Sequence, residues 1–108
     1  DAPSGTAMKL GQVLAEAVNR NFGEVGVFAR KGLIGERSRT EIGIQTLRAG
    51  DIVGEHTVMF SKNFETIELS HRAYDRSVFA SGALHAARWV VGKKAGIYGM
   101  SDVLSLKK

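Results

Sequence analysis

The chain contains no cysteine among its 108 residues, which excludes disulfides and thiolate metal sites and fits a reducing compartment. No apolar run approaches the length needed to span a bilayer. The first residues do not follow the charged-then-apolar pattern of a secretory leader. Neither a Gly-x-Gly-x-x-Gly fingerprint nor a Walker loop is present, so these residues bring no phosphate-cradling cofactor domain of their own. Aromatic residues make up 7% of the chain and are dispersed. The densest basic segment, Arg30-Lys31 through Arg37-Ser38-Arg39, holds none of them. Nucleic-acid modules pair basic charge with stacking rings or a recognition helix, so the net charge of +4 does not point to nucleic acid. His85 has no ligand-type residue four positions away, and no metal site is expected.

What is present begins with Asp1-Ala2-Pro3-Ser4-Gly5-Thr6-Ala7. Ser4 and Thr6 are helix-capping types and Pro3 fixes the turn that leads into them. Gly5 lets another molecule approach the backbone closely. This reads as a short loop whose hydroxyls and free amides point outward at a helix N-terminus. Such an end carries a partial positive charge and unpaired donors, suiting carboxylate or phosphate. An ordinary N-cap reads the same way from these residues alone. A chain whose first residues form such a loop has the look of a fragment of something longer.

Met8, Leu10, Val13, Leu14, Ala17 and Val18 recur at helical spacing, predicting an amphipathic helix of about four turns closed by Asn21-Phe22-Gly23. Val25–Ala29 predicts a short strand leading into a glycine-rich basic loop. Segments 41–47, 55–61 and 65–72 alternate, with turn signals at Arg48-Ala49-Gly50-Asp51 and Lys62-Asn63, and predict an antiparallel meander. Asp75 or Ser77 then caps a second helix running to about Lys93, apolar nearly all round and so expected to be buried on more than one side. A short segment around Val103–Leu106 ends the chain. The fold class is α+β: an open, mainly antiparallel or mixed sheet of about four strands with helices on one face. Leu47, Val58 or Met59 must fall on the other face, which is expected to serve oligomerisation.

Few groups carry chemistry. His56 and His71 fall on neighbouring strands and read best as hydrogen-bonded sheet histidines. Arg76 and Phe79 set a cation and a ring at the start of the second helix, a pattern that surface charge plus a core Phe also explains.

Several stretches resemble one family in order along nearly the whole chain. They are Asp1–Ala7, Arg30-Lys31-Gly32-Leu33-Ile34-Gly35-Glu36-Arg37, Arg48–Thr57, His71–Ala83 and Gly96–Leu104. The family is 4-hydroxy-tetrahydrodipicolinate reductase, also called dihydrodipicolinate reductase. The resemblance implies that residues 1–108 are its carboxy-terminal substrate-binding and tetramerising domain. It implies an NAD(P)H-dependent oxidoreductase of the diaminopimelate route to lysine, cytoplasmic and homotetrameric through the open sheet face. NADH or NADPH would be held mainly by an amino-terminal dinucleotide-binding domain that is not among these residues. By the same resemblance Gly5 and Thr6 hold a carboxylate of a small cyclic dicarboxylate, with Ser4 shaping the loop or joining in, while Arg76 and Phe79 lie near the cofactor or the domain hinge. Arg30, Gly32, Gly35, Arg37, Gly54, Glu55 and His56 match signatures taken as structural.

One departure matters. The family's catalytic His and Lys precede the Asp-Ala-Pro-Ser-Gly-Thr loop, so no catalytic residue is expected within this sequence and the chain alone is expected to be inactive. The alternative is a non-catalytic module that binds a dicarboxylate or only oligomerises. Nucleic acid and membrane are not expected partners.

Overall fold

The computed structural model describes residues 1–106. It comprises two compact units, residues 1–72 and residues from Ala73 onward.

In the first unit, Ser4 initiates helix α1 (Gly5–Ala17), accepting the Ala7 N–H on its side chain. Asn19 adopts a left-handed conformation (φ 53°), and the chain restarts as the single turn α2 (Phe22–Val25). The first helix therefore stops short of the expected Asn21-Phe22-Gly23 closure. Asn21 instead begins α2, its side-chain oxygen accepting the Gly23 N–H at 2.9 Å. Gly11 in α1 and Ile44 are closely apposed around the Phe22 ring, and a Cβ at Gly11 would fall 2.5 Å from that ring. Ala15, on the same helix, is buried.

The α+β class holds, but the four strands form two separate pairs rather than one meander. β1 (Gly26–Val27) and β2 (Ile42–Gly43) pair in parallel, Gly26 against Ile42. β2 is much shorter than the 41–47 alternation suggests. Alternation marks residues that suit a pleated surface, but a strand also needs a neighbouring edge, and only β1 supplies one here.

β3 (Gly54–Lys62) and β4 (Glu65–Ala73) form an antiparallel hairpin. Asn63 and Phe64, both at positive φ (52° and 67°), make its two-residue turn, as the handedness of a tight hairpin requires. Side-chain pairs fix the register. Thr57 and Ser70 hydroxyls lie 2.8 Å apart, Thr66 donates to Ser61 at 3.0 Å, and Arg72 donates to Glu55 at 2.8 Å. That face of the ribbon is polar apart from Met59. The alternate positions bring Val58 across from Leu69, Phe60 across from Ile67 and His56 across from His71.

α1 packs over β3, where Gly54, His56 and Val58 are half-buried, whereas Phe60, Ile67 and Leu69 on the same face stay exposed. Of the three residues expected on the open face, Met59 lies there, Val58 faces α1, and Leu47 lies outside the strands.

In the second unit, α3 (Ser77–Val90) ends before Gly92, which takes the left-handed conformation (φ 77°) of a helix stop. The Trp89 and Tyr98 rings pack edge-on at 5.3 Å, and α4 (Met100–Val103) closes against α3. No residue of α3 is buried, contrary to the expectation from its all-round apolar pattern. That pattern records what the helix can be packed against, and α4 alone is too small to cover it.

Candidate functional site

Ser4 brings the chain into α1 in extended geometry, at ψ 158°. The first helical amides then point along the axis with no carbonyl one turn behind them. The Ser4 carbonyl accepts from the Met8 N–H and its hydroxyl from the Ala7 N–H at 3.2 Å. Among the described residues the Gly5 and Thr6 amides have no partner, and both residues are exposed. A Cβ built on Gly5 would meet nothing within 4 Å. The missing side chain at Gly5 thus serves no internal packing, whereas Gly11, two turns later, is closed in by its neighbours.

Two distant residues fasten this turn. The Ser4 hydroxyl lies 3.2 Å from Nε2 of His56 on β3. The Arg48 guanidinium donates to the Asp1 carbonyl and, at 3.0 Å, to that of Leu47. Neither tie is visible in the sequence, since the partners stand 52 and 47 positions apart, although both residues fall within the resembling stretch Arg48–Thr57. His56 is hydrogen-bonded, as the sequence favours, and its partner is the helix cap.

The other expected site residues belong to the second unit. Arg76 stands at the N-cap position of α3 with no side-chain hydrogen bond, and its carbonyl accepts from the Phe79 and Ala80 amides. Phe79, one turn along, is 53% exposed and so is not the core residue it could have been. Among the described residues no group of three His, Asp or Glu side chains could hold a metal ion. The glycine-rich loop is organised by Arg30, which pairs with Glu41, and by Arg20, which donates to the Thr40 carbonyl at 2.9 Å. Both contacts hold the loop together and leave Lys31, Arg37 and Arg39 exposed.

Residues 1–104 match the family described as dihydrodipicolinate reductase, C-terminus. The chain belongs to that family. Its curated relatives include 4-hydroxy-tetrahydrodipicolinate reductases from Methanoregula boonei (66% identical over 108 residues), Syntrophobacter fumaroxidans (64% over 107) and Syntrophus aciditrophicus (62% over 107). The matches cover 99–100% of this chain and 40% of each of these relatives. What the dihydrodipicolinate reductase C-terminus offers here is a polarised helix start with two unpaired amides, an open glycine and two hydroxyls. Such a set can hold one carboxylate from one side.

No helix among the described residues is long and apolar enough to cross a membrane.

Proposed function

We propose that this chain is the substrate-binding and assembly domain of an NAD(P)H-dependent 4-hydroxy-tetrahydrodipicolinate reductase, and that Ser4, Gly5 and Thr6 clamp one carboxylate of its cyclic dicarboxylate substrate. The open, unpartnered helix start carries this reading. A carboxylate accepts hydrogen bonds only, and here it meets two backbone donors, the Ser4 and Thr6 hydroxyls and the positive end of α1. Gly5 allows its oxygen to reach those donors without striking a side chain. Holding the ring by one acid group fixes which carbon is presented for reduction, and positioning of that kind supplies much of the rate in a two-reactant step.

The nicotinamide cofactor, when bound, supplies the hydride. Within this chain Arg76 and Phe79 are the residues suited to touch it. A guanidinium without a side-chain partner can meet phosphate or ribose oxygens, and an exposed ring can stack. The residues here contain no phosphate-cradling loop, so the rest of the dinucleotide would be held by a domain outside this sequence. The choice between NADH and NADPH rests with that domain. A cytoplasmic setting accompanies the reading.

Assembly as a homotetramer through the open face of β3 and β4 belongs to the same proposal. An isolated two-stranded ribbon is marginally stable in water. The open face of this one carries Met59, 61% exposed, and its other face, past the cover of α1, leaves Phe60, Ile67 and Leu69 between 48% and 64% exposed, while α3 leaves Phe79 and Leu84 exposed as well. Surfaces of that kind are stable when another subunit covers them. Sedimentation should show a tetramer at micromolar concentration, and a stable monomer would count against assembly.

The clamp is tested by titrating the purified chain with pyridine-2,6-dicarboxylate, a flat mimic of the ring. Saturable binding is expected, with a loss of about tenfold in Thr6→Val, the scale of one hydrogen bond to a charged group. Gly5→Ala should also weaken binding while leaving the fold intact. Binding indifferent to both changes would sink the assignment. The chain by itself should oxidise no NAD(P)H.

A further inference from the structure

We propose that His56 is a positioning residue of this turn, donating from Nε2 to Ser4 and thereby aiming the Ser4 hydroxyl hydrogen at the bound carboxylate. This inference rests on the clamp described above and extends it to a residue on another element. A serine hydroxyl has one hydrogen to give and two lone pairs to fill. At Ser4 one lone pair is taken by the Ala7 N–H, and the hydroxyl oxygen also lies 3.2 Å from His56 Nε2. Two arrangements satisfy that second contact.

If Nε2 is bare, Ser4 spends its only hydrogen on the imidazole. It then presents no donor to an incoming carboxylate, which itself has none to offer. If Nε2 carries hydrogen, His56 fills the second lone pair and the hydroxyl hydrogen is left pointing out of the turn. Only the second arrangement lets Ser4 join Gly5 and Thr6 in gripping an anion. It also lines up N–H, O–H and carboxylate in one direction, so each bond polarises the next. His56 is half-buried beneath α1 on a nine-residue strand, which keeps the imidazole within reach of Ser4.

The test compares pyridine-2,6-dicarboxylate affinity across variants of the chain, with thermal melts as a check on folding. His56→Leu, which cannot donate, should lose roughly tenfold, the scale of one hydrogen bond to a charged group. His56→Gln, whose amide can donate, should recover most of that loss. In a Ser4→Ala background His56→Leu should cost nothing further, since the hydroxyl it serves is gone. Equal losses in the Leu and Gln variants, or wild-type affinity in His56→Leu, would overturn the positioning role. Should His56→Leu fail to fold, the ring tautomer decides in the unaltered chain. Long-range proton–nitrogen spectra of the ligand-saturated protein should show hydrogen on Nε2, and a bare Nε2 would overturn the proposal. A wild-type chain that does not bind, or a Thr6→Val variant that binds normally, would bring down the clamp and this role with it. Normal Thr6 dependence with a silent His56→Leu removes the His56 role alone.

Discussion

The two long helices begin in contrasting ways. At α1 the cap is a serine whose hydroxyl reaches a strand 52 residues away, while Arg48 holds the carbonyl of Asp1 from 47 residues away. At α3 the start is secured locally: the Asp75 carboxylate accepts the Ser77 N–H at 2.7 Å, and Arg76 contributes only its carbonyl. A turn tied to distant elements has its geometry set before any ligand arrives. A turn tied only to its own neighbours keeps its shape while remaining free to adjust. The carboxylate clamp is proposed at the first kind of turn and contact with the larger cofactor at the second, which matches how exactingly each ligand would have to be held.

Glycines inside the two helices give the largest expected effect and the most direct way to break the contrast. A methyl group at Gly11 would lie 2.5 Å from the Phe22 ring and 2.8 Å from Ile44. Gly11→Ala should therefore destabilise the chain by about 1–3 kcal/mol through overpacking, despite the gain in helix propensity. Gly82 in α3 meets nothing within 4 Å, and there Gly82→Ala should stabilise by about 0.5–1 kcal/mol. Urea unfolding of both variants checks the pair. A destabilising Gly82→Ala would mean that another subunit packs against that face of α3 in solution.

Next in size is the cap. Ser4→Ala removes an N-cap acceptor and should cost about 1 kcal/mol in urea unfolding. Ser4→Asp keeps an acceptor for the Ala7 amide and favours the helix dipole, so it should hold stability near the parent level. It also sets a negative charge where the ligand carboxylate would sit, and titration should then show no binding of pyridine-2,6-dicarboxylate. Stability retained together with binding retained would separate the cap from the clamp.

Much of this frame was legible in the sequence, and what was not has a common cause. The Ser4 cap, the core of α1, the body of α3, though it ends at Val90 rather than the expected Lys93, and the two long hairpin strands follow from local rules of spacing and capping. The break after Ala17 was missed because Asn19, a residue tolerant of positive φ, ends α1 before the expected glycine. The shortness of β2 was missed because alternation does not reveal whether an edge is available. His56 and Arg48 could be placed on their elements but not against Ser4 and Asp1, since contacts between residues so far apart leave no periodic trace. At α3, the pattern of Val78, Phe79, Leu84 and Val90 describes a helix suited to burial, and nothing within its own unit provides it.

The smallest expected effect lies at the start of α3 and concerns pH. Hydrogen bonds from the Ser77 side chain, and secondarily from its backbone, hold the Asp75 carboxyl below its ordinary value of 3.8. A carboxyl whose folded value is depressed binds its proton more readily in the unfolded chain. Its stabilising contribution is therefore complete above the ordinary value and is lost as pH falls through the lower folded one. Asp75→Asn keeps a side-chain oxygen for the Ser77 amide but removes the charge. The stability gap between the two proteins should be constant at neutral pH and close on acidification below 3.8. Because Asp75 is fully exposed, added salt should shrink the gap. Acid titrations followed by helical circular dichroism would show this. Parallel curves for the two proteins would mean that the charged cap does not form in solution, leaving α3 with a start held by its backbone alone and sharpening the contrast with α1.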